Sequence, residues 1–269
     1  MSRSFNQQFD QHGAWRRKFA HRLKWLVSWL EENELLDVAV AERLRELEAQ
    51  MRTSKVMVAF VAEFSRGKSE LINAIFFAGY GRRIMPASAG RTTMCPTELG
   101  YDATVVPSLR LLPIETRLEP QSLMYWRDVS ERWTQVAIDV DNTEELATAM
   151  NKVAEVRWVS ISEARALGFW SDDSPQDNPR PDSQGQVEIL RWRHALLNMP
   201  HPRLEQGLVI LDTPGLNAIG AEPELTVSLI PQAHAVVFIL GADTGVTRSD
   251  LAIWREHLIT EGDPGETRI

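Results

Sequence analysis

Ala62-Glu63-Phe64-Ser65-Arg66-Gly67-Lys68-Ser69 stands between the apolar run Val56 to Val61 and the helix-like segment Glu70 to Phe77. A strand, a tight turn and a helix in that order leave free backbone N–H groups and the positive end of a helix dipole aimed at one point, where an anion can sit. The spacing is that of a phosphate-binding P-loop, in which Lys68 reaches the β- and γ-phosphates of a nucleotide and Ser69 holds Mg²⁺. The usual pattern opens on glycine. This chain has Ala62 there, a penalised choice if the position needs a positive φ. The bland alternative is a chance Gly-Lys-Ser at the start of a helix.

A second motif narrows the reading. Leu208-Val209-Ile210-Leu211 is an apolar strand that ends in Asp212-Thr213-Pro214-Gly215-Leu216. In such an arrangement the aspartate reaches Mg²⁺ through water and the Gly215 N–H contacts the γ-phosphate, so the following segment becomes a switch ordered by triphosphate. Alone, the same residues are a Pro-Gly turn after a strand. A third element, Gly90 to Gly100, carries Thr92 and Thr93, the latter 24 residues after Ser69. A threonine in a flexible loop there supplies a hydroxyl to Mg²⁺ and an N–H to the γ-phosphate. Thr93 is the preferred candidate and Thr92 the next, although a Thr-rich loop needs no function.

Composition sets the bounds. The chain has 269 residues, 43% hydrophobic and 25% charged, which is ordinary for a globular protein of one large or two small domains. A net charge of −8 and a pI of about 5.4 give no global attraction to nucleic acid or anionic lipid, and direct nucleic-acid binding is not expected. Any such surface must be local. The single cysteine, Cys95, permits no internal disulfide and suits a reducing compartment. No apolar run approaches 18 residues and Met1 to Asp10 is polar, so a soluble, unexported, cytoplasmic chain is expected.

From Ala14 to Arg52 the apolar residues recur at helical spacing: Trp15, Phe19, Leu23, Leu26 and Leu30, then Leu36, Val40, Leu44 and Leu47. Two amphipathic helices, or one broken near Asn33, are predicted. Up to residue 30 the net charge is +5, and residues 31 to 50 carry −5. The basic, aromatic first helix suits a membrane surface or a docking partner, and equally a helix that packs its apolar face on its neighbours. Val56 to Val61, Gly207 to Leu211 and Ala235 to Leu240 read as buried strands, with helices at Glu222 to Leu229 and Arg248 to Leu258. Strands separated by helices predict an α/β fold, with a mostly parallel sheet covered on both faces. Between about 110 and 200 the character changes, five of the nine tryptophans cluster, and a polar, Pro-rich loop runs from Ser171 to Gln186. Those tryptophans read first as small-core residues, and second as stacking platforms.

Three segments together, AEFSRGKSELINAIF (62–76), TTMCPTEL (92–99) and LVILDTPGL (208–216), resemble the N-terminal GTPase domain of the dynamin superfamily, closest in flavour to bacterial dynamin-like proteins. The resemblance covers about Lys55 to Leu258. It implies a P-loop NTPase fold over 53–269, incomplete at its C-terminus and with an insertion at about 110–200. Residues 1–52 would be a neck-like helical segment. GTP would lie against Glu63, Phe64, Ser65, Arg66, Gly67, Lys68, Ser69 and Glu70, with Asp212 and Gly215, and Mg²⁺ would be attended by Ser69, Thr93 and Asp212. Self-association of GTPase domains would stimulate hydrolysis, and membrane contact would come through C-terminal regions absent from this sequence.

The catalytic residues are less conventional. Small Ras-like GTPases place a water-orienting Gln directly after DxxG, and here that position is Leu216. Ser65 matches the P-loop serine that dynamins use, whereas their neighbouring catalytic Gln is replaced by Phe64. Arg66 is a candidate internal arginine finger and Thr93 completes the catalytic set. The base-reading motif Asn/Thr-Lys-x-Asp is absent, and the sequence stops at Glu266-Thr267-Arg268-Ile269, where its strand would begin. A truncated product or fragment is therefore expected. The reading that results is a GTP-binding, GTP-hydrolysing assembly switch, with membrane remodelling as the family's usual output and a site at the inner face of the membrane. The alternatives are a non-catalytic nucleotide-binding interaction module linked to chromosome or replication machinery, and an ATP-using P-loop protein.

Overall fold

The computed structural model describes residues 2–33, 35, 40, 44, 55–63, 66–86, 94–127, 129–173, 175, 178–215, 229–242 and 245–255. At its centre is strand β1 (Val56–Ala62), whose residues face alternately to the two sides of the sheet and are covered on both. Phe60 faces one core with Val58 packed against it, and Met57, Ala59 and Val61 face the other. This two-sided burial is why the strand reads as an unbroken apolar run.

Eight further strands follow among the described residues: β2 (Thr97–Gly100), β3 (Ser108–Pro113), β4 (Thr134–Ala137), β5 (Val156–Ser160), β6 (Gln186–Leu190), β7 (Trp192–Asn198), β8 (Leu208–Asp212) and β9 (Ala235–Ile239). Seven of the nine form one sheet in the order β4-β3-β7-β2-β8-β1-β9, while β5 and β6 pair with each other. The block β8-β1-β9 is parallel. Beyond it β2 runs antiparallel to β8 and parallel to β7, and β3 runs antiparallel to both β7 and β4. The fold class is the expected α/β P-loop NTPase, but its sheet is mixed rather than mostly parallel. The three strands visible as apolar runs all belong to the parallel block. Those that reverse direction, such as TELG and SLRLLP, are short or carry polar residues on a covered face.

Helices cover both faces, as expected. Helix α1 is Ser2–Glu32, α2 is Lys68–Phe76, α3 is Leu123–Arg127, α4 is Thr143–Asn151, α5 is Ile161–Ala166 and α6 is Arg248–Ile253. Ile72 and Phe76 of α2 and Leu146 and Met150 of α4 close one core over Phe60, Leu99, Leu197 and Ile210. Leu123 and Trp126 of α3, with Leu229 and Ile230, close the other over Ala59, Val61, Val209 and Leu211. The stretch 110–200, expected as an insertion, is divided. Strands β3, β4 and β7 belong to the main sheet, and among the described strands of this stretch only the β5–β6 pair stands outside it. Trp126, Trp133 and Trp192 are core residues, whereas Trp158 is half exposed.

Helix α1 ends where the sequence suggests a break: Asn33 donates from its backbone N–H and from Nδ2 to the Trp29 carbonyl, the latter at 2.7 Å. Ala20 and Val27 are buried, but Trp15, Phe19, Trp25, Leu26 and Trp29 are exposed. Most of the second predicted helix, all but one residue of Glu222 to Leu229, and the end of the helix predicted to Leu258 lie outside the described residues.

Candidate functional site

The two strands that carry the motifs are neighbours. β1 and β8 run in parallel register with Phe60 opposite Asp212, so the loop after Ala62 and the Asp-Thr-Pro-Gly segment emerge side by side at one end of the sheet. Ala62 is the last residue of β1, in extended conformation opposite Ile239. The expected penalty at this position does not arise, because Ala62 is a strand residue, and among the described residues of the loop the left-handed one is Gly67, with φ of 81°. A Cβ there would meet no atom within 4 Å, so glycine is needed for its backbone conformation and not for room.

Gly67 is the N-cap of α2 and offers no capping side chain. The first N–H closed within the helix is that of Leu71, onto the Gly67 carbonyl at 3.0 Å. The N–H groups of Lys68, Ser69 and Glu70 therefore have no intrahelical acceptor and sit at the positive end of the helix, an arrangement that suits a phosphate.

The side chains converge on Asp212, which is fully buried. Lys68 Nζ donates to Asp212 Oδ1 and to the Thr213 carbonyl, and is itself only 9% exposed. Ser69 Oγ lies 3.4 Å from Asp212 Oδ2. Thr213 Oγ1 donates to the Phe60 carbonyl at 2.8 Å and so ties the start of the Asp-Thr-Pro-Gly segment back to β1. Pro214 and Gly215 are buried beside them. The ammonium of the loop, the hydroxyl of the next residue and the carboxylate at the end of β8 thus form one cluster.

The flanking candidates behave differently. Arg66 pairs with Glu63 at 2.7 Å, both side chains largely covered, so the proposed arginine finger is held by its own loop. Glu70 pairs with Arg83 on the exposed side of α2, leaving its backbone N–H as the part that faces the loop. Phe64, Ser65, Thr92, Thr93 and Leu216 lie outside the described residues.

Sequence reasoning passed over Asn73, which is buried on α2 between Ile72 and Phe76. Its Oδ1 accepts the N–H groups of Ile84 and Met85 at 3.0 and 2.8 Å, and its Nδ2 donates to the Met85 carbonyl at 3.0 Å. It anchors to α2 the chain that leads toward Thr92 and Thr93. An amide on the apolar face of a helix was the available signal, since such a group must find partners. Cys95 follows that segment, fully buried, and burial pushes its thiol up to about 12.

The residues present fit a magnesium nucleotide. Ser69 and Asp212 offer one hydroxyl and one carboxylate, hard oxygen donors suited to Mg²⁺, beside a helix N-terminus with no side-chain cap. Among the described residues no group of three or more His, Cys, Asp or Glu could cage a metal. A cation here would take its remaining ligands from phosphate and water, the usual habit of Mg²⁺.

Comparisons with known proteins bear on the fold and the family. The chain is similar to solved structures described as an oligomerised bacterial dynamin pair that provides a mechanism for the long-range sensing and tethering of membranes. One matches with a TM-score of 0.50 at 13% identity, covering 91% of this chain and 36% of that one. A second matches with a TM-score of 0.49 at 14% identity, covering 93% and 37%. The chain therefore spans little more than a third of their length. No curated protein matches it. The family model for the dynamin family matches residues 58–268, which include the loop of α2 and the end of β8. By that match the chain belongs to the dynamin family.

Proposed function

We propose that this chain is a GTP-binding and GTP-hydrolysing dynamin-like module that acts as a nucleotide-dependent assembly switch. The observation that carries this reading is the Lys68 bridge. Its ammonium is bound at once to the Asp212 carboxylate and to the Thr213 carbonyl, so the loop and the segment after β8 share one cation. A triphosphate at the N-terminus of α2 offers Lys68 stronger acceptors than a peptide carbonyl. When Lys68 turns to it, Thr213 loses a bond, and the segment from Thr213 through Gly215 is released to adjust to the γ-phosphate.

Mg²⁺, when bound, neutralises phosphate charge as the terminal phosphoryl group leaves. Ser69 and Asp212 would hold it, the latter through water. The N–H groups of Lys68 to Glu70 orient the phosphates. Ser65, Arg66 and Thr93 are the proposed catalytic set, with Phe64 against the nucleotide and Gly215 at its γ-phosphate. In this reading residues 1–52 are a neck-like segment, 53–269 the GTPase domain, and self-association runs through that domain. The site of action is cytoplasmic, at the inner face of a membrane. Among the described residues no helix is long and apolar enough to cross a membrane, and contact would come through other parts of the protein.

The ion pair between Arg66 and Glu63 favours a second reading, an interaction module that binds nucleotide but hydrolyses it poorly, for example one serving chromosome or replication machinery. Binding of a fluorescent GTP analogue with and without Mg²⁺, competed with GTP and ATP, tests the site. Displacement by GTP alone is expected, and equal displacement by ATP would overturn guanine selectivity. Turnover per molecule that rises with protein concentration supports the switch. Flat, near-zero turnover despite binding supports the second reading.

A further inference from the structure

A cleft of about 450 Å³ opens at the end of the sheet opposite the phosphate loop. Its floor includes Met57 and Val209, which lie opposite each other near the starts of β1 and β8, whereas the loop and Asp212 leave from the ends of those strands. One row of paired residues runs along it across the sheet: Arg110 of β3, Leu196 of β7 and Glu98 of β2. Arg110 and Glu98 therefore project to the same face, two strands apart, and that face is the one covered by α3, which supplies Arg127.

Three cations, Lys55, Arg110 and Arg127, line this opening against two carboxylates, Glu98 and Asp102. Both carboxylates are already engaged. Glu98 Oε1 accepts from Arg127 and stands 2.9 Å from His194 Nε2. Asp102 Oδ1 accepts from the backbone N–H and the hydroxyl of Thr104, at 2.9 and 2.6 Å. Arg110 has neither: among the described residues its guanidinium makes no hydrogen bond and no ion pair, and it lies 5.5 Å over the ring of Trp133. It is partly buried, and Arg127 Nε beside it is buried with no partner among the described residues. Burial, and after it the charge of Arg127, hold the Arg110 guanidinium below its ordinary value, with Asp102 and Glu98 offsetting only part of that. Arg110, with no anion of its own, and Arg127, whose Nε is unused beyond its pair with Glu98, crowd at one cleft. Within a chain of net charge −8 this is a local concentration of the opposite sign.

We propose that this cleft binds a small ligand bearing an oxyanion, a phosphate ester or a carboxylate, through the forked donors of Arg110 with Arg127 and Lys55 around it. The volume suits a metabolite-sized molecule. The planar fork of a guanidinium matches either oxyanion in a bidentate manner. The site is separate from the phosphate loop and does not depend on the nucleotide reading.

The test titrates inorganic phosphate and, separately, succinate into the chain and its Arg110→Gln and Arg110→Lys variants at constant ionic strength, followed by calorimetry. Arg110 has no hydrogen bond or ion pair to lose among the described residues, only its place over the Trp133 ring, so both variants should fold, and their melting temperatures check this. Saturable binding of one probe or both, weakened about tenfold or more in Arg110→Gln and partly kept in Arg110→Lys, is expected for the loss of a charge-assisted hydrogen bond. Saturation by phosphate alone identifies an ester-type ligand, and saturation by succinate alone a carboxylate. Binding that persists unchanged in Arg110→Gln belongs elsewhere, such as the phosphate loop, and overturns the proposal. Absence of saturation by both probes also overturns it.

Discussion

The two faces of the central sheet each hold a buried carboxylate and a cation, Asp212 with Lys68 and, opposite its neighbour Leu211, Glu98 with Arg127, yet they leave opposite things unfinished. At the end of β1 and β8, Asp212 takes up Lys68, and what stays open is a set of backbone N–H groups at the start of α2. On the other face, Glu98 takes up Arg127 and His194, and what stays open is a side-chain cation, Arg110. Backbone donors are fixed by the fold and suit a ligand that every relative must bind. A surplus side chain is a single substitution away from disappearing, and so suits a ligand particular to this chain. The lesson is that charge alone does not mark a site; the form of the unsatisfied donor indicates how general it is.

The largest expected effect breaks the first site. Lys68→Ala should lower triphosphate affinity by about two orders of magnitude, roughly 3 kcal/mol, in fluorescence titration. It also leaves Asp212 buried without its cation, which should cost about 3 kcal/mol or more of stability. The double variant Lys68→Ala with Asp212→Asn should recover much of the melting temperature and none of the binding. Recovery of both would show that Lys68 serves only as a counterion.

Glu98→Gln breaks the second site, with an expected loss of about 3 kcal/mol in denaturant titration near neutral pH, since Arg127 loses its anion. Burial pushes the Glu98 carboxyl up, but the hydrogen bond and charge of His194 and the charge of Arg127 outweigh it and leave it below its ordinary 4.5. A carboxyl lowered on folding adds stability above its unfolded value, and that contribution is lost as pH falls through the lower folded value. The wild-type chain should therefore lose stability on acidification below about 4.5, and Glu98→Gln should flatten that limb. An unchanged acid limb would make the pair incidental.

Two smaller effects sharpen the contrast. Asn73→Ala should cost about 2 kcal/mol, because it strands the buried N–H groups of Ile84 and Met85. It should also weaken nucleotide binding only through the chain leading to Thr93, which a comparison of Mg²⁺-dependent and Mg²⁺-free affinity would detect. The Cys95 thiol, pushed up to about 12 by burial, should not react with thiol reagents at neutral pH until the chain unfolds. Labelling of the folded chain would show that the interior beside Asp212 opens to solvent.

The phosphate end was legible in the sequence and the cleft was not, for a physical reason. Lys68, Ser69 and Asp212 sit in continuous motifs, each a strand followed by a turn, so spacing alone places them. Arg110, Glu98 and Arg127 come from two strands and a five-residue helix, and only the order β3-β7-β2 brings them together. That order rests on strands that carry Glu, Arg and His on covered faces, the kind that apolar periodicity misses. Ala62 shows the converse: judged by motif it was a defect, and by geometry it is an ordinary strand residue followed, five positions on, by the glycine that matters.

The distribution of the tryptophans gives the protein a built-in optical readout. Trp15, Trp25 and Trp29 stand in solvent on α1, with Trp158 and Trp254 exposed elsewhere, while Trp126, Trp133 and Trp192 are enclosed. Their emission therefore divides into a red, quencher-accessible part, most of it from one helix, and a blue, protected part from the sheet. Anything that settles on α1 would turn red light blue, and because Arg110 lies over Trp133, filling the distant cleft would act on the blue part alone.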